Sequence, residues 1–285
     1  MRLPTRLLQR KVKSNKSDFG RIFILAGSAR YLGAAVLCAK SAMRLGAGLV
    51  TLGVPKSLNN SLLKIKPDEV ITLPLNEGKK GYFGLQAFKE IMEFIKKIDI
   101  VVIGPGLGQE KSTQLLVRKL VKTINKKTII DADGLNALAG YLNHLKEDMI
   151  LTPHPKEMAR LINTKVSFIQ KNRTEIAKSF AKKNKVVLVL KGHHTLVANK
   201  DGLLYTNKTG NPGMASAGSG DVLTGMIAGL LGQGLSNYSS AKYAVYLHGL
   251  AGDLAAKEKT QICLIASDII DKIPYALKRS SNMPA

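Results

Sequence analysis

Residues 210–221 read Gly-Asn-Pro-Gly-Met-Ala-Ser-Ala-Gly-Ser-Gly-Asp, and an apolar stretch of helical character follows them. Gly218 and Gly220 let the backbone approach a ligand closely and turn sharply into that helix. The free N–H groups of a first helical turn, backed by the helix dipole, form a site for an anion such as a phosphate. Asp221 then has two candidate jobs. As an N-cap it would only start the helix. As a general base it would take the proton of a substrate hydroxyl while a phosphoryl group arrives. A cap alone needs neither Gly-x-Gly before it nor the small-residue run from 213 to 220, so the base is the preferred reading.

Other segments carry less specific signals. Gly104-Pro105-Gly106-Leu107-Gly108 is GxGxG rather than GxGxxG, no acid follows at the dinucleotide-fold distance, and the chain contains no GxxxxGK[ST]. It reads either as a tight strand-to-helix turn or as a loop shaped for a bulky ligand; three glycines and a Pro favour the ligand. In Asp131-Ala132-Asp133-Gly134-Leu135-Asn136, paired acids could hold Mg²⁺ through water, or Asp133 could cap a helix beginning at Gly134. No residue is assigned as a direct metal ligand. Thr152-Pro153-His154-Pro155-Lys156-Glu157 sets His154 between two prolines. A lone His is usually structural, but one pinned beyond a strand end reads as a ligand contact. Lys191-Gly192-His193-His194-Thr195 offers a cation and a hydroxyl to a phosphate, although a Lys beside a Gly can equally be solvated. His193 and His194 have no metal-ligand partner nearby, which argues against zinc.

These segments gain meaning from the elements that must carry them. Apolar, β-branched runs predict strands at 21–25, 49–53, 98–103, 128–130, 149–151 and 186–190. Amphipathic stretches predict helices at 33–45, 82–96, 111–123, 156–162, 173–183, 221–232 and 239–258. Fully apolar strands such as Ile100-Val101-Val102-Ile103 suit a sheet covered on both faces. Strict alternation of strand and helix predicts βαβ units around a mostly parallel sheet, and the fold class is α/β. Strands at 195–198 and 203–205 flank Asn199-Lys200-Asp201-Gly202 and read as an antiparallel edge hairpin. With no long linker and no internal repeat, residues 1–285 read as a single domain. Open α/β sheets bind ligands beyond the carboxyl ends of their strands. Gly27-Ser28 and the segments beginning at Gly104, Asp131, Thr152 and Lys191 each follow a predicted strand, so all should gather at that edge.

Composition bounds the rest. Of 285 residues, 45% are hydrophobic and 22% charged, which is ample for a core and argues against disorder. The 43 Lys+Arg against 20 Asp+Glu give a net charge of +23. That charge could mark a polyanion partner. The lysines are instead scattered as pairs (79–80, 96–97, 126–127, 182–183), and with no Trp there is no platform for stacked bases, so no specific nucleic-acid partner is expected. No apolar run is long enough for a transmembrane helix. Cys38 and Cys263 have no CxxC or Cys/His companion; both read as core residues of a protein from a reducing compartment, and the expected location is the cytoplasm. Residues 1–21 hold seven Lys/Arg and one acid, lack a signal-peptide core, and read as part of the folded protein.

Taken together, the chain resembles the ADP/ATP-dependent NAD(P)H-hydrate dehydratase family, which has the ribokinase-like fold. The likeness runs from about Leu3 to Asp271. It rests on Asp18-Phe19-Gly20-Arg21, Ala26-Gly27-Ser28, Tyr31-Leu32-Gly33-Ala34-Ala35 and the stretch from Ala42 to Thr51, followed in order by the segments above. The resemblance implies repair of NADHX and NADPHX: the hydroxyl on the hydrated nicotinamide ring is phosphorylated, and loss of phosphate restores the cofactor. It implies Asp221 as the residue activating that hydroxyl, with the Gly218–Gly220 amides stabilising the transferring phosphoryl charge. Nucleotide contacts are then expected from Lys191, Gly192, His193, His194, Thr195, Asn211, Met214, Ser216, Gly218, Ser219 and Gly220. Substrate contacts are expected from Ala42, Gly106, Asn136, His154 and Asp221. The sequence resembles the bacterial type, which implies ADP as co-substrate, with ATP as the alternative, together with Mg²⁺. The resemblance also implies a homotetramer and, with no fused epimerase domain in view, action on the S hydrate only. Two rival readings remain: a ribokinase-like kinase of a vitamin precursor such as hydroxymethylpyrimidine or hydroxyethylthiazole, and a basic nucleic-acid-binding protein.

Overall fold

Successive residues of the central strands feed two separate cores. In β1 (Arg21–Leu25), Ile22 and Ile24 join one cluster while Phe23 and Leu25 join the other. Such alternation, apolar on both sides, requires helices on both faces of the sheet. The structure is a computed structural model and describes residues 1, 3, 4, 7–147 and 149–280. After β1 come α1 (Leu32–Arg44), β2 (Leu49–Pro55), α2 (Asn59–Leu63), β3 (Ile71–Leu75) and a short hairpin of β4 (Glu77–Lys79) and β5 (Tyr82–Phe83). The middle of the chain holds α3 (Phe88–Phe94), β6 (Ile100–Ile103), α4 (Lys111–Thr123), β7 (Lys127–Ile130), α5 (Ala132–Ala137) and β8 (Met149–Leu151). Next are α6 (Pro155–Leu161), α7 (Val166–Lys171), α8 (Arg173–Asn184) and β9 (Val187–Leu190). The remainder is β10 (Leu196–Ala198), β11 (Leu204–Thr206), α9 (Ser219–Gly232), α10 (Asn237–Lys259) and α11 (Ala266–Ser280).

The nine-stranded sheet has the order β11-β10-β9-β8-β7-β6-β1-β2-β3. All neighbours are parallel except around β10, which pairs antiparallel with both β9 and β11. The chain builds outward from β1 through β2 to β3, then returns to β6 on the other side of β1. The reversal opens a crevice between β1 and β6, the switch point where such sheets bind ligands. Helices α1, α9, α10 and α11 cover one face; α3, α4, α5, α6 and α8 cover the other.

Several elements differ from expectation. Residues 82–96 do not form one helix: Gly81, at φ +78°, turns Tyr82 and Phe83 into the β4–β5 hairpin, and α3 starts at Phe88. Strand β3 and helices α2, α7 and α11 do not follow from the sequence pattern, and α5 starts at Ala132 with Asp131 at its N-cap rather than at Gly134 with Asp133. The internal Pro274 hides α11 from a helix reading, yet Ile269, Ile270, Ile273 and Ala276 form its buried stripe. Asp221 is not an N-cap: α9 begins at Ser219, with Gly218 at φ +87° as the capping residue. Cys38 is buried as expected, but Cys263 is exposed, because it lies in the loop between α10 and α11. Leu3 is buried in the core, and no helix among the described residues is long and apolar enough to cross a membrane.

Candidate active site

The expected segments do meet at one sheet edge. Strands β9, β8, β7, β6 and β1 are consecutive and parallel, so Lys191, Thr152, Asp131, Gly104 and Ala26 leave them on the same side. At the centre lies Asp131, almost fully buried beyond β7. Its Oδ1 accepts from Lys191 Nζ at 2.8 Å and its Oδ2 from Thr224 Oγ1 at 2.8 Å. The two bonds tie the ends of β7 and β9 to α9, one turn after Asp221. Glu157 adds its Oε2 at 3.8 Å from Lys191 Nζ. Burial penalises the Lys191 ammonium, but the Asp131 and Glu157 carboxylates outweigh that penalty and raise its pKa.

Asp221 occupies the third position of α9. Among the described residues, none is hydrogen-bonded to its carboxylate, and the N–H groups of Gly220 and Asp221 take no acceptor. Burial, reinforced by the Asp131 charge, raises the Asp221 pKa to about 7. Gly220 brings the helix start close to the Lys191 ammonium: a Cβ on it would stand 3.3 Å from Nζ. The arrangement is a carboxylate base with its pKa lifted toward neutrality, unpaired amides suited to an anion, and a fixed cation beside them.

The loops around this centre are held mainly from outside. Arg173 donates to the carbonyls of Leu190, Lys191 and His194 at 3.1, 3.4 and 3.4 Å. Thr195 Oγ1 donates to the Gly192 carbonyl at 3.0 Å, while His193 and His194 lie exposed with ring centres 3.8 Å apart. Asn211 caps the turn at 212–214 through Gly213 N, and the Ser216 hydroxyl is enclosed without a hydrogen-bond partner. A hollow of about 400 Å³ borders Asn211 and is lined also by Leu250, Asp253, Gln261 and Arg279. Gly106, at φ +63°, faces the β1–β6 crevice so closely that a Cβ would lie 2.6 Å from the Tyr31 carbonyl oxygen.

His154 is placed at the strand edge by a capping box. Its Nδ1 accepts from the N–H groups of Lys156 and Glu157 at 3.1 Å, so its ring proton sits on Nε2, 3.2 Å from Glu157 Oε1. Burial and the nearby Lys191 charge lower its pKa, whereas burial raises that of Glu157. Asn136 is bound on both sides, donating to Asp133 Oδ1 and accepting from Arg160. Ala42 stands apart: it is fully buried near the far end of α1, its carbonyl packed against Gly229 of α9. The paired acids do not wait for a metal. Asp131 is used as described, and Asp133 accepts from Gly108 N at 2.8 Å as well as from Asn136. Thr224, Glu157 and Arg173 complete the centre without having been singled out; the one local hint was a Thr in an otherwise apolar helix, three residues after Asp221.

A family model described as NAD(P)H-hydrate dehydratase matches residues 22–275. The chain belongs to the NAD(P)H-hydrate dehydratase family. Within it, the bifunctional NAD(P)H-hydrate repair enzyme Nnr of Moorella thermoacetica is 43% identical over 96% of this chain and 52% of its own length. The chain thus spans about half the length of such bifunctional relatives. The ADP-dependent (S)-NAD(P)H-hydrate dehydratase of Neisseria meningitidis is 36% identical over 94% of this chain and 88% of its own length. The crystal structure of the ADP/ATP-dependent NAD(P)H-hydrate dehydratase from Bacillus subtilis, co-crystallised with ATP and Mg²⁺, superposes with a TM-score of 0.83 at 33% identity, covering 96% of this chain and 94% of that one. A ribokinase-like superfamily protein from Enterococcus faecalis superposes with a TM-score of 0.80 at 27% identity, covering 99% of this chain and 96% of that one, and the fold is ribokinase-like.

Proposed function

We propose that this dehydratase-family chain removes water from the S form of NADHX and NADPHX at the expense of ADP, restoring NADH and NADPH and releasing AMP and phosphate. The observation that carries this reading is Asp221: a carboxylate with no hydrogen-bond partner among the described residues and its pKa pushed up to about 7, at the start of a helix where the amides of Gly220 and Asp221 are unpaired. Asp221 takes the proton of the substrate hydroxyl as that oxygen attacks the terminal phosphorus of the nucleotide. The amides from Gly218 to Gly220 and the Lys191 ammonium face the phosphoryl charge. Asn211, Met214 and Ser216 line the nucleotide's approach, with its base toward the hollow beside Asn211. The hydrate lies in the crevice of Gly106, His154 and Asn136. ADP rather than ATP follows from the likeness to the bacterial type.

The described residues do not fit a resident Mg²⁺. Among them no group of three or more His, Cys, Asp or Glu is placed to hold a metal, and the Asp131 and Asp133 carboxylates are engaged. An ion in this site would be held by the nucleotide's own phosphates. We read residues 1–285 as one catalytic unit, cytoplasmic and tetrameric, on the strength of the family likeness. Purified protein incubated with NADHX and ADP should regain the absorbance of NADH with release of AMP and phosphate. A stable phosphorylated product without NADH would favour a small-molecule kinase instead.

A further inference from the structure

The loop at 210–220 consists mostly of small residues and has little means of holding its own shape. Two side chains of α10 grip its ends. Asp253 Oδ2 accepts from Gly210 N at 2.9 Å, and its Oδ1 from Asn211 Nδ2 at 3.0 Å. Asn211 Oδ1 then accepts from Gly213 N at 3.0 Å, which sets the turn at 212–214. One and a half turns earlier on α10, His248 Nε2 lies 3.0 Å from the carbonyl oxygen of Ser219. A carbonyl only accepts, so Nε2 carries the hydrogen. Burial lowers the His248 pKa to about 4, so the ring stays neutral at working pH. Between the two, α10 is kept bare: a Cβ on Gly249 would stand 2.3 Å from Thr209 Oγ1, and one on Gly252 2.2 Å from Met214 Sδ. Thr209 Oγ1 also donates to the Tyr246 carbonyl at 2.8 Å.

We propose that α10 is a two-ended clamp on the nucleotide loop, in which Asp253 positions the end that receives the nucleotide and His248 positions the end that carries Asp221. Both are positioning residues, and the assignment rests on reading 210–220 as a nucleotide-binding loop. Packing alone would make them matter for stability only; a clamp makes their effects separable in kinetics. Losing a hydrogen bond to a charged group is worth on the order of tenfold in an equilibrium constant.

The test measures mant-ADP binding, steady-state kinetics with NADHX, and amide hydrogen exchange across 211–220 in folded variants. Asp253→Ala should weaken mant-ADP and raise the KM for ADP on the order of tenfold, leave the KM for the hydrate unmoved, and speed exchange in the loop. Asp253→Asn, which keeps one acceptor, should fall between and carries the test if the Ala variant does not fold. His248→Leu should lower kcat on the order of tenfold at nearly constant KM for ADP, and His248→Gln, which restores an N–H donor, should regain most of it. Unchanged nucleotide binding and exchange in Asp253→Ala or Asp253→Asn, or equal shifts in both KM values, would overturn the clamp. If the wild type binds ADP but leaves NADHX untouched, the dehydratase reading falls while binding and exchange still decide the clamp. If it binds no adenine nucleotide, the clamp falls too.

Discussion

Asp221 has no hydrogen-bonded partner among the described residues, and burial beside Asp131 lifts its pKa to about 7. That tuning has a cost in stability. Below about pH 4 the carboxyl is protonated in both the folded and the unfolded chain. Between about pH 4 and 7 the folded protein keeps a proton that the unfolded chain has released, so stability falls as pH rises through that window. Above it the full penalty is present, at about 1.4 kcal/mol per pKa unit. Asp221→Asn should therefore melt at a higher temperature than the wild type at pH 8, with the gain shrinking toward pH 4. Turnover should drop by about 10²–10⁴ in the same variant. In the wild type, kcat/KM should decline as pH is lowered through about 7. Equal melting of the two proteins at pH 8, or retained turnover in the Asn variant, would refute this account.

At the scale of elements, α9 can place Asp221 only because it lies so close to α1. A Cβ on Gly225 would stand 2.0 Å from the Cys38 carbonyl oxygen and 2.1 Å from Ser41 Oγ. Gly33, in the first turn of α1, has open space where its Cβ would be. Replacing a helical Gly by Ala ordinarily gains about 0.5–1 kcal/mol. Gly33→Ala should show that gain as a higher denaturation midpoint. Gly225→Ala should instead lose about 1–3 kcal/mol or more as α9 is pushed off α1, with a fall in kcat/KM because Asp221 moves with the helix. The two helices were both legible from apolar periodicity, and the start of α9 was misread by only two residues. Their contact was not legible, since neither period nor composition says which helix faces which. The missed β3 and α11 have the same origin: each contains a proline, Pro74 in β3 and Pro274 in α11, so both are stabilised by what they pack against rather than by local preference.

At the scale of the whole molecule, a net charge of +23 gives any phosphate ligand a favourable long-range field. Bound nucleotide differs from that diffuse attraction because it binds the folded state alone. ADP at about a hundredfold its dissociation constant should stabilise the fold by about 2.7 kcal/mol, raising the melting temperature by roughly 5 °C or more in a chain of this size. Inorganic phosphate at the same concentration and at 0.15 M salt should not match it, because scattered surface lysines are screened within about 8 Å. Equal shifts from the two anions would mean that the site does not recognise the nucleoside.

Local chemistry in the chain was enough to mark the reactive segments and the edge at which they would meet. Glycines before Asp221, prolines around His154 and apolar strands ending in polar residues all act through neighbouring backbone, so short windows reveal them. The family likeness suggested the proposed substrate. Tertiary packing alone decided how the centre is wired: Lys191 reaches Asp131 across 60 positions of chain, and Thr224 reaches it across 93. It also ties the acids at 131 and 133 into internal hydrogen bonds and buries Ala42 between α1 and α9. Partners so distant along the chain are set by strand order and by the seating of α9 on the sheet, which depend on the whole core forming at once.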